Sequence, residues 1–137
     1  MGTVSETSVG LRFFGDDLNP DEITIKLGCE ATIGVQKGGT WLTAKGATKI
    51  ARTGSWRRHT PRLSPGDLDR QIELLLSQMS DDLGIWNDLT SRFQADIFTG
   101  LFLKDQNEGI SLSPLTLVAI GSRGLKLDLD IYSSERE

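Results

Sequence analysis

The stretch that decides the fold is Leu125–Tyr132, LKLDLDIY, in which every second residue is apolar. Strict alternation of this kind is typical of a strand with one buried face and one polar face. A second alternating segment, Phe93–Leu103, places Ile97 and Leu101 on one face and Asp96 on the other. Long alternating segments predict strands that pair largely antiparallel, in a sheet covered on one face.

Helices that could cover this sheet are predicted by spacing and by capping residues. The segment Leu68–Met79 has large apolar residues at helical spacing, and a similar stripe continues from Leu83 to Leu89. Shorter helices are predicted to begin at Asn19-Pro20 and at Ser113-Pro114. Asn and Ser are good N-caps, and proline suits the first helical position. Four helical segments are therefore expected.

The remaining segments complete the predicted architecture. Strands are expected at Val9–Phe14, Ala31–Val35 and Ser55–His59, and the glycine-rich segment Lys37–Arg52 predicts a long loop or irregular hairpin. We therefore expect a single domain over residues 1–137 with an ordered core over about 8–132. Its predicted fold class is α+β, a two-layer sandwich of a mainly antiparallel sheet with helices on one face, ferredoxin-like or a variant of that topology.

Length and composition narrow the class of protein. A chain of 137 residues with 37% hydrophobic residues and a net charge of −4 can bury the core of one domain. Cys29 is the only cysteine, so no intrachain disulfide can form. The N-terminus has neither the basic nor the apolar region of a signal peptide, and no apolar run approaches a membrane span. We expect a cytoplasmic protein with no membrane association.

The residue types needed for catalysis or metal binding are scarce. His59 is the only histidine, so a zinc site and a Ser–His–Asp arrangement are both poorly supported. The glycines after Lys37 lack the pattern of a phosphate-binding P-loop. A carboxylate site for Mg²⁺ or Ca²⁺ would draw on Asp16, Asp17, Asp128 and Asp130, but a solvated strand face is the favoured interpretation. We expect no catalytic residues, no metal, no cofactor and no enzymatic activity.

The charge of the chain is unevenly distributed. Ala31–Gly66 contains seven basic residues and no acidic one, whereas the rest of the chain has a net charge of −11. Such segregation favours an anion-binding surface if the basic side chains share one exposed face. The candidate binding surface consists of Trp41, Arg52, Trp56, Arg57, Arg58, His59 and Arg62, with Lys37, Lys45 and Lys49 as further cations. The favoured interpretation is instead that basic loops pair with acidic strands of the same domain, because nothing in the sequence shows that the basic residues share one exposed face.

The segment Phe14–Ile23, FGDDLNPDEI, followed by Leu27-Gly28, resembles the N-terminal signature of a bacterial family described as domain of unknown function number 4279. Trp56, Ile110–Pro114 and Leu127–Tyr132 resemble its middle strand, pre-helix segment and closing strand. The resemblance implies a small bacterial cytosolic domain and no particular activity. Structural roles are expected for the matching positions Gly15, Asp16, Asp17, Pro20, Glu22, Gly28, Asp128, Asp130 and Tyr132. The chain departs from the family at Arg57–His59, which is more basic than expected.

Two classes of function remain open. The leading prediction is a non-catalytic protein-interaction module with an unknown protein partner, one version being an immunity-type protein that neutralises a toxin. Small size, a pI near 5.0 and the lack of catalytic motifs favour it. The alternative is an anion, nucleotide or single-stranded nucleic-acid binder that uses the basic segment 37–62, with a tryptophan as a stacking surface.

Overall fold

The long strand β2 (Glu6–Gly15) lies at the centre of a five-stranded sheet. The computed structural model describes residues 2–133. Its other elements, in chain order, are β1 (Gly2–Thr3), α1 (Pro20–Leu27), β3 (Ile33–Val35), β4 (Thr40–Leu42), β5 (Thr48–Ile50), β6 (Gly54–His59), α2 (Leu68–Ser77), α3 (Leu83–Arg92), β7 (Gln94–Phe102), β8 (Glu108–Gly109), α4 (Pro114–Ser122) and β9 (Lys126–Tyr132). The predicted α+β fold class is confirmed.

The strand order of the sheet is β3-β6-β2-β7-β9. The pairs β3–β6, β6–β2 and β2–β7 are antiparallel, as predicted, but β9 runs parallel to β7. Helix α4 lies between β7 and β9 in the sequence. It brings the chain back to the end of the sheet at which β7 begins, as a parallel pair requires. Strands β4 and β5 form a separate hairpin within the segment predicted as a loop or hairpin, and β1 pairs with β8.

The core lies between the sheet and the helices, and its largest side chains are aromatic. Phe13 of β2, Trp56 of β6 and Trp86 of α3 are completely buried. The Phe13 ring meets Trp56 edge-on, with centroids 5.9 Å apart, and stacks on Trp86 at 6.3 Å. Trp56 Nε1 donates a hydrogen bond to Thr24 Oγ1 of α1 at 3.0 Å. These contacts join the two central strands to two of the helices.

Capping residues start the four helices where the sequence predicts them. The side chains of Asn19, Asp67, Asp82 and Ser113 each accept a hydrogen bond from a backbone N–H of the first turn. Each therefore satisfies a donor that has no partner inside the helix. Gly28 ends α1 at φ 71°, a left-handed conformation that favours glycine.

An ion-pair cluster joins α1 to α3. Arg92 donates to both carboxylate oxygens of Glu22, at 2.8 and 2.9 Å, and Lys26 Nζ lies 2.8 Å from the same carboxylate. Arg92 and then Lys26 lower the pKa of Glu22 to about 2. Glu22 therefore stays charged at neutral pH and contributes to helix packing.

Within residues 2–133, no helix has the length and apolar character needed to cross a membrane.

Candidate anion-binding site

The sheet face turned away from the helices, which we call the open face, carries charged and aromatic side chains. Val9, Leu11 and Phe13 of β2 are buried under the helices, so the alternate residues Arg12 and Phe14 lie on the open face. Strand register extends this face across the neighbouring strands. Arg12 is opposite Arg57 of β6 on one side and Asp96 of β7 on the other.

The Arg12 guanidinium is neutralised by acidic partners. Its Nε and Nη2 atoms donate to Asp96 Oδ1 and Oδ2 at 2.8 and 2.7 Å, and Asp128 lies 3.7 Å from Nη2. The guanidinium also covers the Phe98 ring, 4.1 Å from its centroid. Hydrogen bonding to Asp96 raises the pKa of Arg12. Both oxygens of Asp96 are therefore engaged, and Arg12 is not free to hold an added anion.

Arg57 lies beside Arg12 but has a very different environment. Its Cζ atom lies 5.4 Å from the Phe14 centroid and 5.8 Å from that of Trp41. Within residues 2–133 it forms no ion pair, and its Nε atom is buried without a hydrogen-bond partner. Burial, followed by repulsion from Arg12, lowers the pKa of Arg57. A partly desolvated guanidinium held between two rings is a strong donor for an anion.

The β4–β5 hairpin and the end of β6 enclose a cavity of about 400 Å³, which we call the basic cleft. Its lining includes the three cations Lys49, Arg52 and Arg57, the aromatic rings of Trp41 and Phe14, and no carboxylate. The cleft therefore combines positive charge with apolar walls. This combination lowers the local dielectric and strengthens attraction to an anion.

A carboxylate that contacts this lining, Asp16, is already paired. Asp16 lies 3.2 Å from Lys37 Nζ and hydrogen-bonds Thr53, a residue of the cleft wall. These contacts lower the pKa of Asp16, the Thr53 bond being the largest cause. Asp16 therefore satisfies Lys37 rather than the cleft arginines.

The structure brings together only part of the predicted candidate surface. Trp41, Arg52 and Arg57 line the basic cleft, as does Lys49. His59 lies farther along β6 on the open face, where burial, and then Arg57 and Arg12, lower its pKa. A lowered pKa disfavours the charged imidazolium, and His59 does not line the basic cleft.

Three other candidates lie outside the basic cleft. Trp56 is completely buried beneath the helices. Arg58, next to Arg57 in the chain, has its side chain on the opposite face, where it donates to the carbonyl oxygen of Glu30 at 3.1 Å. Alternation along β6 explains both placements, and these two residues are removed from the candidate surface. Arg62 lies over the Phe102 ring at 4.1 Å, at the other end of the open face.

Phe14 is the site residue that sequence reasoning left out. The alternation in Val9–Phe14 already placed this ring on the polar face of the strand. An aromatic ring on the polar face of a strand offers an apolar surface on which a planar group can stack. The Phe14 ring lies near Arg57 because of the pairing register of β2 and β6, which the sequence alone does not define.

The carboxylates considered for a metal site are not assembled into one. Asp16 and Asp17 lie in the turn after β2, whereas Asp128 and Asp130 lie on the edge strand β9. Among residues 2–133, no group of three or more His, Cys, Asp or Glu side chains is arranged to hold a metal ion.

Comparison with known proteins gives one match. Residues 5–134, nearly the whole chain, match the model of a family described as Domain of unknown function (DUF4279). No curated protein and no solved structure is significantly similar to the chain.

Proposed function

We propose that this chain, which belongs to the family described as Domain of unknown function (DUF4279), binds a phosphate-bearing ligand in the basic cleft. The description of the family assigns it no activity. The proposal assigns binding and no catalytic step. The single observation that supports it best is Arg57, whose guanidinium is partly buried, held between Phe14 and Trp41, and without an acidic partner among residues 2–133.

An unpaired, partly buried cation is costly unless a ligand compensates it. A buried donor without a partner costs free energy, and a charged donor costs more. Arg12, on the adjacent strand, escapes that cost through Asp96, but Arg57 has no comparable neighbour. An anion in the cleft would compensate the positive charge of Arg57 and would also face Lys49 and Arg52.

The surroundings of the cleft favour a compact anion over a long polyanion. Asp96, Asp128 and Asp130 occupy the β7–β9 side of the open face. A chain of phosphates that crossed the whole face would meet these carboxylates, whereas one phosphate group in the basic cleft would not. The net charge of −11 outside Ala31–Gly66 acts in the same direction.

Replacing Arg57 with glutamine should weaken binding of phosphate or pyrophosphate by at least ~10-fold, because a charge-assisted hydrogen bond contributes about 1.5–3 kcal/mol. The measurement is titration by calorimetry, or by the fluorescence of Trp41, which lies 5.8 Å from the Arg57 guanidinium. Added salt should weaken wild-type binding further.

The matched control is Arg70→Gln, which removes the same charge from an exposed position on α2. It should leave phosphate binding unchanged. The proposal fails if the wild-type protein does not bind phosphate, or if both variants weaken it equally, since the effect would then come from net charge alone.

A protein-interaction function is our second proposal, supported by the exposed apolar surface of α4. Leu115 and Val118 are 82% and 64% exposed. Leu115 lines a groove of about 520 Å³ between α2 and α4, whose charged residues are Glu73, Asp81 and Arg123. This chemistry suits a protein segment with apolar side chains and a basic neighbour. That the partner is a toxin stays a prediction.

Leu115→Asp should abolish capture of such a partner, because it places a charge on the apolar surface without disturbing the core. The test captures proteins from the native cell, identifies the partner, and repeats the binding with both purified components. Arg57→Gln is the matched control and should retain the partner. Equal binding by wild type and Leu115→Asp would contradict the assignment to α4. Identification of a partner that is not a toxin encoded by a neighbouring gene would overturn the immunity version.

We also propose that the protein works in the bacterial cytoplasm. Its single thiol, Cys29, is half-buried and has no second cysteine with which to form an intrachain disulfide. Because no intrachain disulfide can form, the fold does not depend on an oxidising compartment and is compatible with a reducing one.

A further inference from the structure

A second cavity adjoins the basic cleft at Phe14. This adjoining cavity has a volume of about 540 Å³, and its lining includes Arg12, Phe14, Gln94, Asp96 and Lys126. The ring of Phe14 lines both cavities. Each volume is within the range of about 300–1,000 Å³ that is typical of sites for small ligands. A ligand anchored at Arg57 can therefore extend over Phe14 into a second, differently lined space.

The adjoining cavity differs from the basic cleft in the hydrogen bonds it can offer. Asp96 already gives both carboxylate oxygens to Arg12, so the exposed amide of Gln94 is the available group that can both donate and accept. Lys126, which also lines this cavity, is opposite Asp96 in the pairing of β7 with β9. This lining combines two cations, Arg12 and Lys126, with the carboxylate of Asp96, whereas the basic cleft holds cations and no carboxylate. Such a mixture of donors and acceptors suits a group that can itself both donate and accept hydrogen bonds.

Phe14 supplies an apolar ring between the two cavities. The guanidinium carbons of Arg12, on the same strand, and of Arg57, on the adjacent strand β6, lie 5.3 and 5.4 Å from its centroid. Its side chain is half-buried and leaves part of the ring accessible. A planar heterocycle placed against such a ring gains stacking energy whichever base it is.

We propose that the ligand of this domain is a nucleotide, with its phosphate in the basic cleft against Arg57 and its base against Phe14, hydrogen-bonded by Gln94. This inference rests on the proposed phosphate-binding function and adds the class of ligand. A mononucleotide fits better than an internal segment of a nucleic-acid strand, because a following phosphate on the β9 side would meet Asp128 and Asp130.

The test compares ligands that share the phosphate but differ in the base. Wild-type protein is titrated by calorimetry with AMP, GMP, CMP and UMP, and with ribose 5-phosphate and inorganic phosphate. At least one nucleotide should bind ~10-fold more tightly than ribose 5-phosphate, which matches a stacking contribution of about 1–3 kcal/mol per base. Gln94→Ala should reduce the preference among the four bases, because it removes the amide that can read the base edge.

Phe14→Leu should reduce nucleotide affinity to near that of ribose 5-phosphate, and should reduce ribose 5-phosphate affinity by a much smaller factor, because the ring contacts the base directly and the phosphate only through Arg57. Phe102→Leu is the matched control, since it removes a half-buried ring at the opposite end of the same face and should change neither affinity. Gln94 is exposed, so Gln94→Ala provides a readout even if Phe14→Leu does not fold.

The outcomes separate this inference from the function on which it rests. If phosphate and ribose 5-phosphate bind in an Arg57-dependent way but no nucleotide binds more tightly, the nucleotide inference is overturned and the phosphate-binding function stands. If none of these ligands binds, both are overturned. A single-stranded hexanucleotide that binds far more tightly than every mononucleotide would also overturn the inference, in favour of an extended nucleic-acid site.

Discussion

Replacing Trp56 with alanine should lower the free energy of unfolding by about 3–5 kcal/mol, the loss expected when a large aromatic side chain is removed from a packed core. Trp56 is completely buried, meets Phe13 edge-on and donates to Thr24 Oγ1 at 3.0 Å. The substitution would therefore leave a cavity between the sheet and α1 and remove a hydrogen bond. Urea denaturation followed by far-UV circular dichroism measures the change.

Trp41→Ala is the matched control for this prediction. Trp41 is half-exposed on the β4–β5 hairpin, so its loss should change the free energy of unfolding by less than about 1 kcal/mol. It should instead weaken ligand binding in the basic cleft, because its ring lies near the Arg57 guanidinium. Equal destabilisation by the two substitutions would contradict the division of the tryptophans into a core residue and a site residue.

Replacing Gln71 with leucine should destabilise the fold by about 1–3 kcal/mol, because it leaves buried polar groups without partners. Gln71 is 5% exposed, and its amide accepts from the Thr7 hydroxyl and donates to the carbonyl oxygens of Thr7 and Pro61 at 3.1 and 3.2 Å. The Thr7 hydroxyl in turn accepts from the Asp67 backbone N–H at 3.0 Å. This network joins the segment before α2 to the central strand.

A double-mutant cycle with Thr7→Val tests the network directly. Thr7→Val removes a hydrogen bond that Gln71→Leu also removes. The double variant should therefore lose less stability than the two single variants together. A coupling of roughly 1 kcal/mol is expected in chemical denaturation. Strictly additive losses would show that the two side chains act independently.

The local elements and the fold class were predictable from the sequence. Asn19 and Ser113 indicated where two helices begin, because a capping side chain acts on the backbone next to it, and apolar spacing indicated the other two. Alternation predicted the strands and placed Arg57 and Arg58 on opposite faces. The family was also recognisable, from short motifs in a fixed order along most of the chain.

Which of these elements contact one another became known only from the three-dimensional fold. The parallel pairing of β9 with β7, and the short β1–β8 pair, depend on the path of the chain over many residues. The difference between Arg12 and Arg57 has the same origin. Two arginines on adjacent strands are chemically alike in sequence, but register places Asp96 beside Arg12 and aromatic rings beside Arg57. Charge compensation acts through space over a few ångströms, so it follows strand register rather than distance along the chain.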